Sequence, residues 1–595
     1  MKAYRFHALI CGCTTCRSLG SLEVKKALEA ELAKQGLAEE VKVGEVGCIG
    51  YCTASPIMLV YPGGLYYQKL TPEDIPELVS EHFLKGRPVE RFFYQEPKKK
   101  EFIPELAKIP FFANQRLVVL RNRGLINTDR IDEYIAQDGY AAAGKALLEM
   151  TPQEIIEEIK ASGLRERDGT GYPTGLKLEF GYKSNPEVKY IVCTAGEGDL
   201  GAFMDRSILE SNPHAIIEGL IIAARAVGAH HGYIYCQEEY SMAIARLNIA
   251  MAQATDYGLL GEDILESGYD FDLQVREGAG IFLSSEESAM IALIEGRSEM
   301  TQPETPTLSE SDILGHPTIT SNVETYANLP PVIRRGSEWF ASIGTEKSKG
   351  TKVFALTGDV FHKGLVEVPM GTKLKTLIYN IGGGIPRQRK LKAVQLGGPS
   401  SGCIPAELLD LPCDYESVTE VGAIMGAGGL IVMDDDTCMV DLARFYMEHV
   451  QRKSDDKCPL CQEGTRRMLE ILEKICQGQG EVEDLNTLES LSIAVRRCAT
   501  CVQGKIGLNP VYSTLKYFRD EYMTHILEKR CPAKRCQNLV EFVVDEERCR
   551  QCGACYPVCP MGAVAWEEGQ PARIDRDKCT RCLACISACE FYAID

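Results

Sequence analysis

The chain carries 25 cysteines in 595 residues, and their spacing is what could do chemistry. The most regular group is Cys549, Cys552, Cys555 and Cys559-Pro560, repeated as Cys579, Cys582, Cys585 and Cys589. Each run reads C-x2-C-x2-C-x3-C. Thiolates so spaced suit a soft, compact metal centre. The doubled run is the frame of two [4Fe-4S] clusters in which the fourth Cys of each run ligates the other cluster. One cluster then uses Cys549, Cys552, Cys555 and Cys589. The other uses Cys579, Cys582, Cys585 and Cys559. Zinc knuckles or disulfides are the competing uses of such thiols, and eight in this order argue against both. Glu590 stands where the second run would usually have Pro, which loosens a turn but removes no ligand. A module of this kind has no substrate pocket, so the chain is expected to move electrons.

The elements that must position these thiols need several domains. At roughly 150 residues each, the length suggests about four. Hydrophobic residues make up 45% and charged residues 25%, which permits large cores. A net charge of -19 argues against nucleic acid as a partner. Cysteines at metal-type spacings, not scattered pairs, fit a reducing cytoplasm. The opening MKAYRFHALICGC is too short and broken for a secretory signal. The most apolar run, Val421 to Met433, falls short of the roughly 18–20 residues needed to cross a bilayer. The expectation is a soluble, cytoplasmic protein without direct membrane insertion.

Residues 1–95 read as a small α/β domain. FHALICGC and EEVKVGEVGC are strands, SLEVKKALEAELAKQG is an amphipathic helix and SPIMLVYPGGLYYQKL is a hairpin. Its cysteines are Cys11, Cys13, Cys16, Cys48 and Cys52. C-x4-C followed by C-x3-C, each after a strand, resembles the thioredoxin-like [2Fe-2S] domain of complex I and of NAD-dependent hydrogenases. That resemblance selects Cys11, Cys16, Cys48 and Cys52 and leaves Cys13 spare. A C-x2-C redox pair from Cys13 and Cys16 is the alternative. Residues 96–114 form a charged, Pro-bounded linker.

From residue 115 strands alternate with helices, the pattern of a parallel sheet flanked by helices. TPQEIIEEIKASG has the signals of a helix, with Thr as cap, Pro at its first position and Gly at its end. The segments GAFMDR, NVET, GGG, LGGPS and VGAIMGAGGLIVMDDD resemble the flavin- and NADH-binding subunit of complex I and its hydrogenase relatives. The resemblance implies a Rossmann-like FMN/NADH-type domain over 115–330 and a small β-rich, ubiquitin-like insert over 331–410. It further implies a helical bundle with a [4Fe-4S] cluster over 411–530 and a two-cluster ferredoxin domain over 531–595. The fold class expected is thus multidomain α/β and α+β.

Carried over residue by residue, the flavin site is altered. The family loop GLRGRGGAGFPTG reads GLRERDGTGYPTG here, so Glu166 and Asp168 replace glycines. Glycine lets a backbone approach a ligand and lets its amides face a phosphate. Carboxylates add bulk and like charge, costing about 1–4 kcal/mol at roughly 4 Å. The family's NADE is Thr194, Ala195, Gly196 and Glu197; CGEET is Ser284 to Ser288; the first Asn of NNVET is Ser321; the basic PRPKPP is Thr301 to Pro306, with Gln302 and Glu304 at its basic positions. Arg167, Gly169, Gly171, Lys177, Glu197, Glu287, Asn322 and Thr325 are kept. These changes favour a flavin-type domain that has given up FMN and NADH. A retuned site that still holds FMN is the alternative.

In the bundle the family ligands are C-G-x-C-x-P-C plus one distant Cys. Here Cys458 and Cys461 match two, Asp455 stands at the first position and Cys501 matches the distant one. Cys498, three residues before Cys501, is expected to complete the [4Fe-4S] set, with Asp455 as second choice and a four-thiolate zinc site as the competing use. Cys476 lacks partner spacing and is expected to serve packing. His525, Cys531 and Cys536 resemble a zinc site in front of the ferredoxin module of electron-bifurcating hydrogenase β-subunits. A closed zinc site wants four ligands, so the fourth must come from elsewhere in the chain.

In the order of its modules the chain most resembles the β-subunit of NAD-dependent, electron-bifurcating [FeFe] hydrogenases. The cofactors expected are three [4Fe-4S] clusters, one [2Fe-2S] cluster and zinc. The function expected is that of an iron–sulfur electron-transfer subunit in a hetero-oligomer. Its partners would be a catalytic oxidoreductase subunit, a small [2Fe-2S] thioredoxin-like subunit and ferredoxin. An active FMN-dependent NAD(P)H:ferredoxin-type dehydrogenase subunit is the other enzyme-class reading, and an assembly factor with metal sites only is a third.

Overall fold

The computed structural model describes residues 4–96, 100–184, 188–199, 201–278, 287–296, 312–453, 458–540, 542–576 and 578–594. They form two compact units, residues 1–433 with 500–509 and residues 434–499 with 510–595.

In the first unit the N-terminal sheet runs in the order Val41–Val46, Phe6–Cys11, Met58–Tyr61, Leu65–Tyr67. The first pair is parallel and the other two are antiparallel. One face packs on the helix Ser21–Lys34 through Val24, Leu28 and Leu32. The cysteines fall at strand ends, where the backbone leaves the ladder.

The second sheet has the spatial order Asp312–Ile313, His316–Asn322, Tyr190–Ala195, His231–Gln237, Asp272–Gly278. Its last four strands are parallel. Tyr190–Ala195 is wholly buried, as a strand covered by helices on both faces must be. The chain moves outward from it in one direction and later returns to its other side. The crevice beyond the carboxyl ends of Tyr190–Ala195 and His316–Asn322 is thus a topological switch point, the usual place for a ligand in such sheets. The helix Pro152–Ser162 has the expected Thr151 cap and Pro at its first position, adds a capping box between Thr151 and Glu154, and ends at Gly163 with φ 68°.

The third sheet, the β-rich insert, is ordered Gly364–Pro369, Thr351–Gly358, Gly429–Asp434, Leu391–Leu396, Cys403–Pro405. Its central strand lies beyond residue 410, inside the stretch expected to open the bundle. The Gly-rich apolar run there is buried on both faces, which explains why it reads as an uninterrupted hydrophobic segment.

The second unit has helices Met439–Arg452, Pro459–Cys476, Val482–Cys498, Asn509–Tyr517 and Arg519–Leu527, followed by the ferredoxin-like module. Hydrophobic spacing alone suggests one helix for the last two. Phe518 leaves helical geometry at φ -128° and ψ 30°, and the chain restarts at Arg519. Among the described residues no helix is long and apolar enough to cross a membrane.

A buried ion pair joins the helix Val323–Arg335, which follows the parallel sheet, to the strand Thr351–Gly358 of the β-rich sheet. Lys352 Nζ meets Glu324 Oε2, with side chains 0% and 1% exposed. Glu324 Oε1 also accepts the Val353 amide at 2.8 Å. Removing one partner of a buried pair strands the other charge, at a cost of about 3–5 kcal/mol. Glu324→Ala should therefore lower the unfolding free energy measured in urea by that amount, and Glu324→Ala with Lys352→Met should recover most of it. Equal loss in the single and double variants would show that the pair does not carry the junction.

Candidate functional site

The ferredoxin-like module repeats itself. Val564–Ala565 pairs with Arg573–Ile574, and Val544 bridges Ile594 in the same way. The Asp545 amide donates to the Ala593 carbonyl, and the Asp575 amide to the Ala563 carbonyl, both at 2.7 Å. Two cavities lie inside. One, ≈ 340 Å³ with its open mouth, is lined by Cys549, Cys552, Cys555 and Cys589. The other, ≈ 310 Å³, is lined by Cys559, Cys579, Cys582 and Cys585. These are the two crossed sets of four, and their soft donors around a compact space fit a cubane. The Ala563 amide donates to Cys559 Sγ at 3.2 Å and the Ala593 amide to Cys589 Sγ at 3.3 Å. The turn after Cys589 forms the same bond although Glu590 stands where Pro is usual.

A second group of donors lies in the same unit. Cys438, His525, Cys531 and Cys536 are all buried, with ligand atoms within 4.8 Å of one another. Cys438 Sγ stands 3.3 Å from His525 Nε2 and 3.7 Å from Cys536 Sγ, and Cys536 Sγ stands 3.5 Å from the same Nε2. Tetrahedral zinc at ~2.3 Å from sulfur and ~2.0 Å from nitrogen has edges of ~3.8 and ~3.5 Å, so the group fits that ion. The His525 Nδ1 faces the Glu521 carbonyl at 2.8 Å, which leaves Nε2 free to bind a metal. Packed beside Cys531 and Cys536 and shut off from water, the Cys438 thiol is pushed well above its ordinary range. Spacing does not single out Cys438, a lone thiol 87 residues before His525. Its one signal is its place as N-cap of the helix Met439–Arg452. Cys476, expected to serve packing, ends its helix on the side of Cys536.

The N-terminal thiols gather at the end of the first sheet. Cys11, Cys13 and Cys16 have sulfurs within 4.8 Å of one another, and Cys48 adjoins Cys13. Cys52 is half-buried on the same turn as Tyr51. Four or more soft donors in one buried pocket fit an iron–sulfur centre. The flavin-type domain holds this pocket in place. Ser211 Oγ accepts the Cys48 amide at 2.8 Å, Glu210 accepts the Thr14 amide at 2.9 Å, and Arg246 donates to the Gly12 carbonyl at 3.2 Å. Ser211 and Glu210 end the helix Met204–Ser211, whose other end bears Asp205 in the flavin-type crevice.

In the bundle, Cys458 caps the helix Pro459–Cys476 and Cys461 lies in its first turn, both buried. Cys498 ends the next helix and is exposed. Cys501 belongs to the first unit, where its sulfur accepts the Gly504 amide at 3.2 Å. Asp455 lies outside the described residues, as do Ser284 to Glu286, Thr301 to Pro306 and the side chain of Glu287.

The remaining flavin-type positions converge at the switch point. Thr325 Oγ1 accepts the Arg167 amide at 2.9 Å. Asn322 caps the helix Val323–Arg335 and donates to Asp205 Oδ2 at 2.8 Å. The Arg167 guanidinium is fully buried and turned to the carbonyls of Arg165 and Lys349. Gly169 and Gly171 are required by the chain itself. A Cβ would stand 2.7 Å from Gly426 Cα and 2.8 Å from the Tyr415 ring, and both glycines have positive φ.

Carboxylates fill this crevice. Glu166 is fully buried, accepts Thr174 Oγ1 at 2.9 Å and lies beside Ser321 and Lys177. Its Oε2 finds no donor among the described residues. Burial pushes its pKa up to about 7, against the pull of the Lys177 ammonium. Asp168 turns back on its own loop and accepts Thr170 amide and hydroxyl at 2.8 and 2.7 Å. Asp199 accepts the Ala427 amide at 2.9 Å, with the Gly428 and Gly429 amides beside it. Successive amides of this kind form an anion-binding concavity, and here a side chain sits in it. Burial pushes Asp199 up to about 6 and Glu197 up to about 7. The Asp199 contact escapes sequence reading because its two halves are 228 residues apart.

Residues 159–331 match the family described as the Nuo51 FMN-binding domain. Residues 441–525 match the NADH-ubiquinone oxidoreductase-F iron-sulfur binding region, 541–590 a 4Fe-4S dicluster domain and 2–82 the thioredoxin-like [2Fe-2S] ferredoxins. The HndC subunit of the NADP-reducing hydrogenase of Solidesulfovibrio fructosivorans is 44% identical over 77% of this chain and 93% of its own length. The chain belongs to the family of complex I flavin subunits. A subunit of the NADH-quinone oxidoreductase of Rhizobium meliloti is 40% identical over 70% of this chain and 99% of its own. Among solved structures, an NAD+-reducing [NiFe]-hydrogenase in the H2-reduced state is similar with TM-score 0.62 and 26% identity, covering 88% of this chain and 84% of that one. This member of the family thus combines iron–sulfur modules with the flavin-type domain.

If Cys438, His525, Cys531 and Cys536 bind zinc, the purified chain should carry one zinc by elemental analysis. Cys438→Ala should lose it and keep its iron. Full zinc in that variant would exclude Cys438 from the site.

Proposed function

We infer that the chain is an iron–sulfur electron-transfer subunit of a multi-subunit oxidoreductase, with a flavin-type domain that holds neither FMN nor NADH. The observation that carries this reading is Glu166. A fully buried carboxylate stands beside Lys177 and takes the place where the family loop has glycine. Asp199 in the amides of Ala427 to Gly429 supports it in the same way. Each is a carboxyl group of the chain standing at a position suited to an anionic ligand, with its pKa raised by burial. A nucleotide phosphate about 4 Å from Glu166 would meet the side-chain bulk and, in the ionised fraction, a like charge worth about 1–4 kcal/mol, before the loss of loop amides is counted.

The remaining machinery suits electron passage. The ligand sets proposed are Cys549, Cys552, Cys555 and Cys589; Cys559, Cys579, Cys582 and Cys585; Cys458, Cys461, Cys498 and Cys501; and Cys11, Cys16, Cys48 and Cys52. Bound iron–sulfur clusters accept and release single electrons. The chain's part is to hold their thiolates and to tune them through hydrogen bonds to sulfur, such as those from the Ala563 and Ala593 amides. Cys438, His525, Cys531 and Cys536 would hold structural zinc where the bundle meets the ferredoxin-like module. The relatives are named as subunits of hydrogenase and NADH-quinone oxidoreductase. By analogy this chain would join a catalytic oxidoreductase subunit and a small [2Fe-2S] thioredoxin-like subunit in a cytoplasmic hetero-oligomer and exchange electrons with ferredoxin.

The second reading, an FMN-dependent NAD(P)H:ferredoxin-type dehydrogenase subunit, is favoured by one observation. Arg167, Lys177, Glu197, Asn322 and Thr325 still surround one crevice. Acid extraction of the purified complex separates the two. The expected result is no stoichiometric flavin in the extract, and at least about tenfold tighter FMN binding by Glu166→Gly/Asp168→Gly. One FMN per native chain would overturn the first reading and establish the second.

A further inference from the structure

The N-terminal domain carries five thiols at this end of its sheet where a [2Fe-2S] centre takes four; Cys11, Cys13 and Cys16 lie in one close group, Cys48 adjoins Cys13, and Cys52 follows on the next turn. The family pattern leaves Cys13 over, yet Cys13 is 3% exposed and lies at the middle of the group. Its sulfur is 3.6 Å from Cys11 Sγ and within hydrogen-bonding reach of Cys16 and Cys48. A spare residue of no consequence would point into solvent or a separate core. A separation of 3.6 Å is close to the ~3.8 Å edge of a tetrahedron of thiolates around one metal ion, so both sulfurs can reach the same iron. Cys11 Sγ also faces the Gly47 carbonyl oxygen at 3.4 Å. A carbonyl oxygen accepts from an S–H and repels a thiolate, so it stabilises Cys11 in its non-ligating form.

Gly12 separates the two cysteines, and Cys13 precedes the helix Thr14–Ser18 in extended geometry. The exchange of one sulfur for the other therefore needs only side-chain rotation and a small adjustment at Gly12. Glu210 and Arg246 hold the flanking backbone through the Thr14 amide and the Gly12 carbonyl.

We propose that Cys13 is an alternative ligand that replaces Cys11 in the [2Fe-2S] centre. The Cys13 thiol gives its proton to the departing Cys11 thiolate. One iron–sulfur bond, to Cys11, breaks, and one, to Cys13, forms. No electron is lost or gained. The proposal rests on the assignment of this pocket to a [2Fe-2S] centre, and the test keeps the two apart.

The test uses the full chain, with iron and acid-labile sulfide analysis and EPR of the reduced [2Fe-2S] centre. Cys13→Ala/Cys48→Ala, which removes the spare thiol together with an expected ligand, should lose two irons per chain. If it does not, the pocket assignment fails. With that loss established, Cys11→Ala should retain both irons and a [2Fe-2S] signal with altered g values. Cys11→Ala/Cys13→Ala should lose them. Loss already in Cys11→Ala, with the [4Fe-4S] signals of the same sample intact, would overturn the exchange. Retention in the double variant would overturn it too. If Cys11→Ala does not fold, Cys11→Ser keeps the side-chain volume. An all-thiolate spectrum in Cys11→Ser supports the exchange. A serinate-type spectrum that persists in Cys11→Ser/Cys13→Ala excludes it.

Discussion

An ion pair cut off from water joins the parallel and β-rich layers of the first unit. Glu324 and Lys352 come from the parallel sheet's following helix and from the β-rich sheet, and neither side chain meets solvent. Charges removed from water must find each other or find amides. The same rule recurs through the unit. Glu367 accepts the amides of Val118, Val119 and Leu120. Glu218 accepts those of Ala142 and Ala143 and the Tyr134 hydroxyl. The chain habitually answers a nest of amides with a carboxylate of its own.

That habit gives the flavin-type crevice its character. The sheet, its switch point and the glycine-bearing loop frame a crevice, and Glu166 and Asp199 lie buried in it, one on the Thr174 hydroxyl and the other on the Ala427 amide. The loop glycines that remain, Gly169 and Gly171, are explained by close packing on Gly426 and Tyr415. A ligand is not needed to account for them. The helix Met204–Ser211 then takes on a second meaning. It joins Asp205 in the crevice to the backbone around Cys48, so the N-terminal thiol pocket is built against the nucleotide-type domain and not beside it.

Much of the fold is legible in the sequence because local chemistry and tertiary demand agree. The helix from its Thr151 cap to Gly163, the hairpin from Met58 to Tyr67 and the parallel strands read as they form. The differences lie where tertiary context overrides a local pattern. Gly429–Asp434 reads as part of the bundle because no nearby partner marks it as a strand; its partners, Thr351–Gly358 and Leu391–Leu396, are remote in sequence. The amphipathic run ending at Leu527 reads as one helix, since hydrophobic periodicity continues across Phe518 while backbone geometry does not.

The order of residues is enough to say which thiols can act together in the ferredoxin-like module, because a repeated spacing within one short segment fixes both the ligand type and the crossing order. It is also enough for the sheet types and for the loss of loop glycines. The folded chain alone brings together donors from distant segments: Cys438 with His525, Asp199 with the amides of Ala427 to Gly429, Cys13 with Cys48. The physical reason is that spacing constrains contacts within a turn or a hairpin. Contacts between remote segments are set by the packing of whole sheets and helices, which leaves no mark on the sequence near either partner.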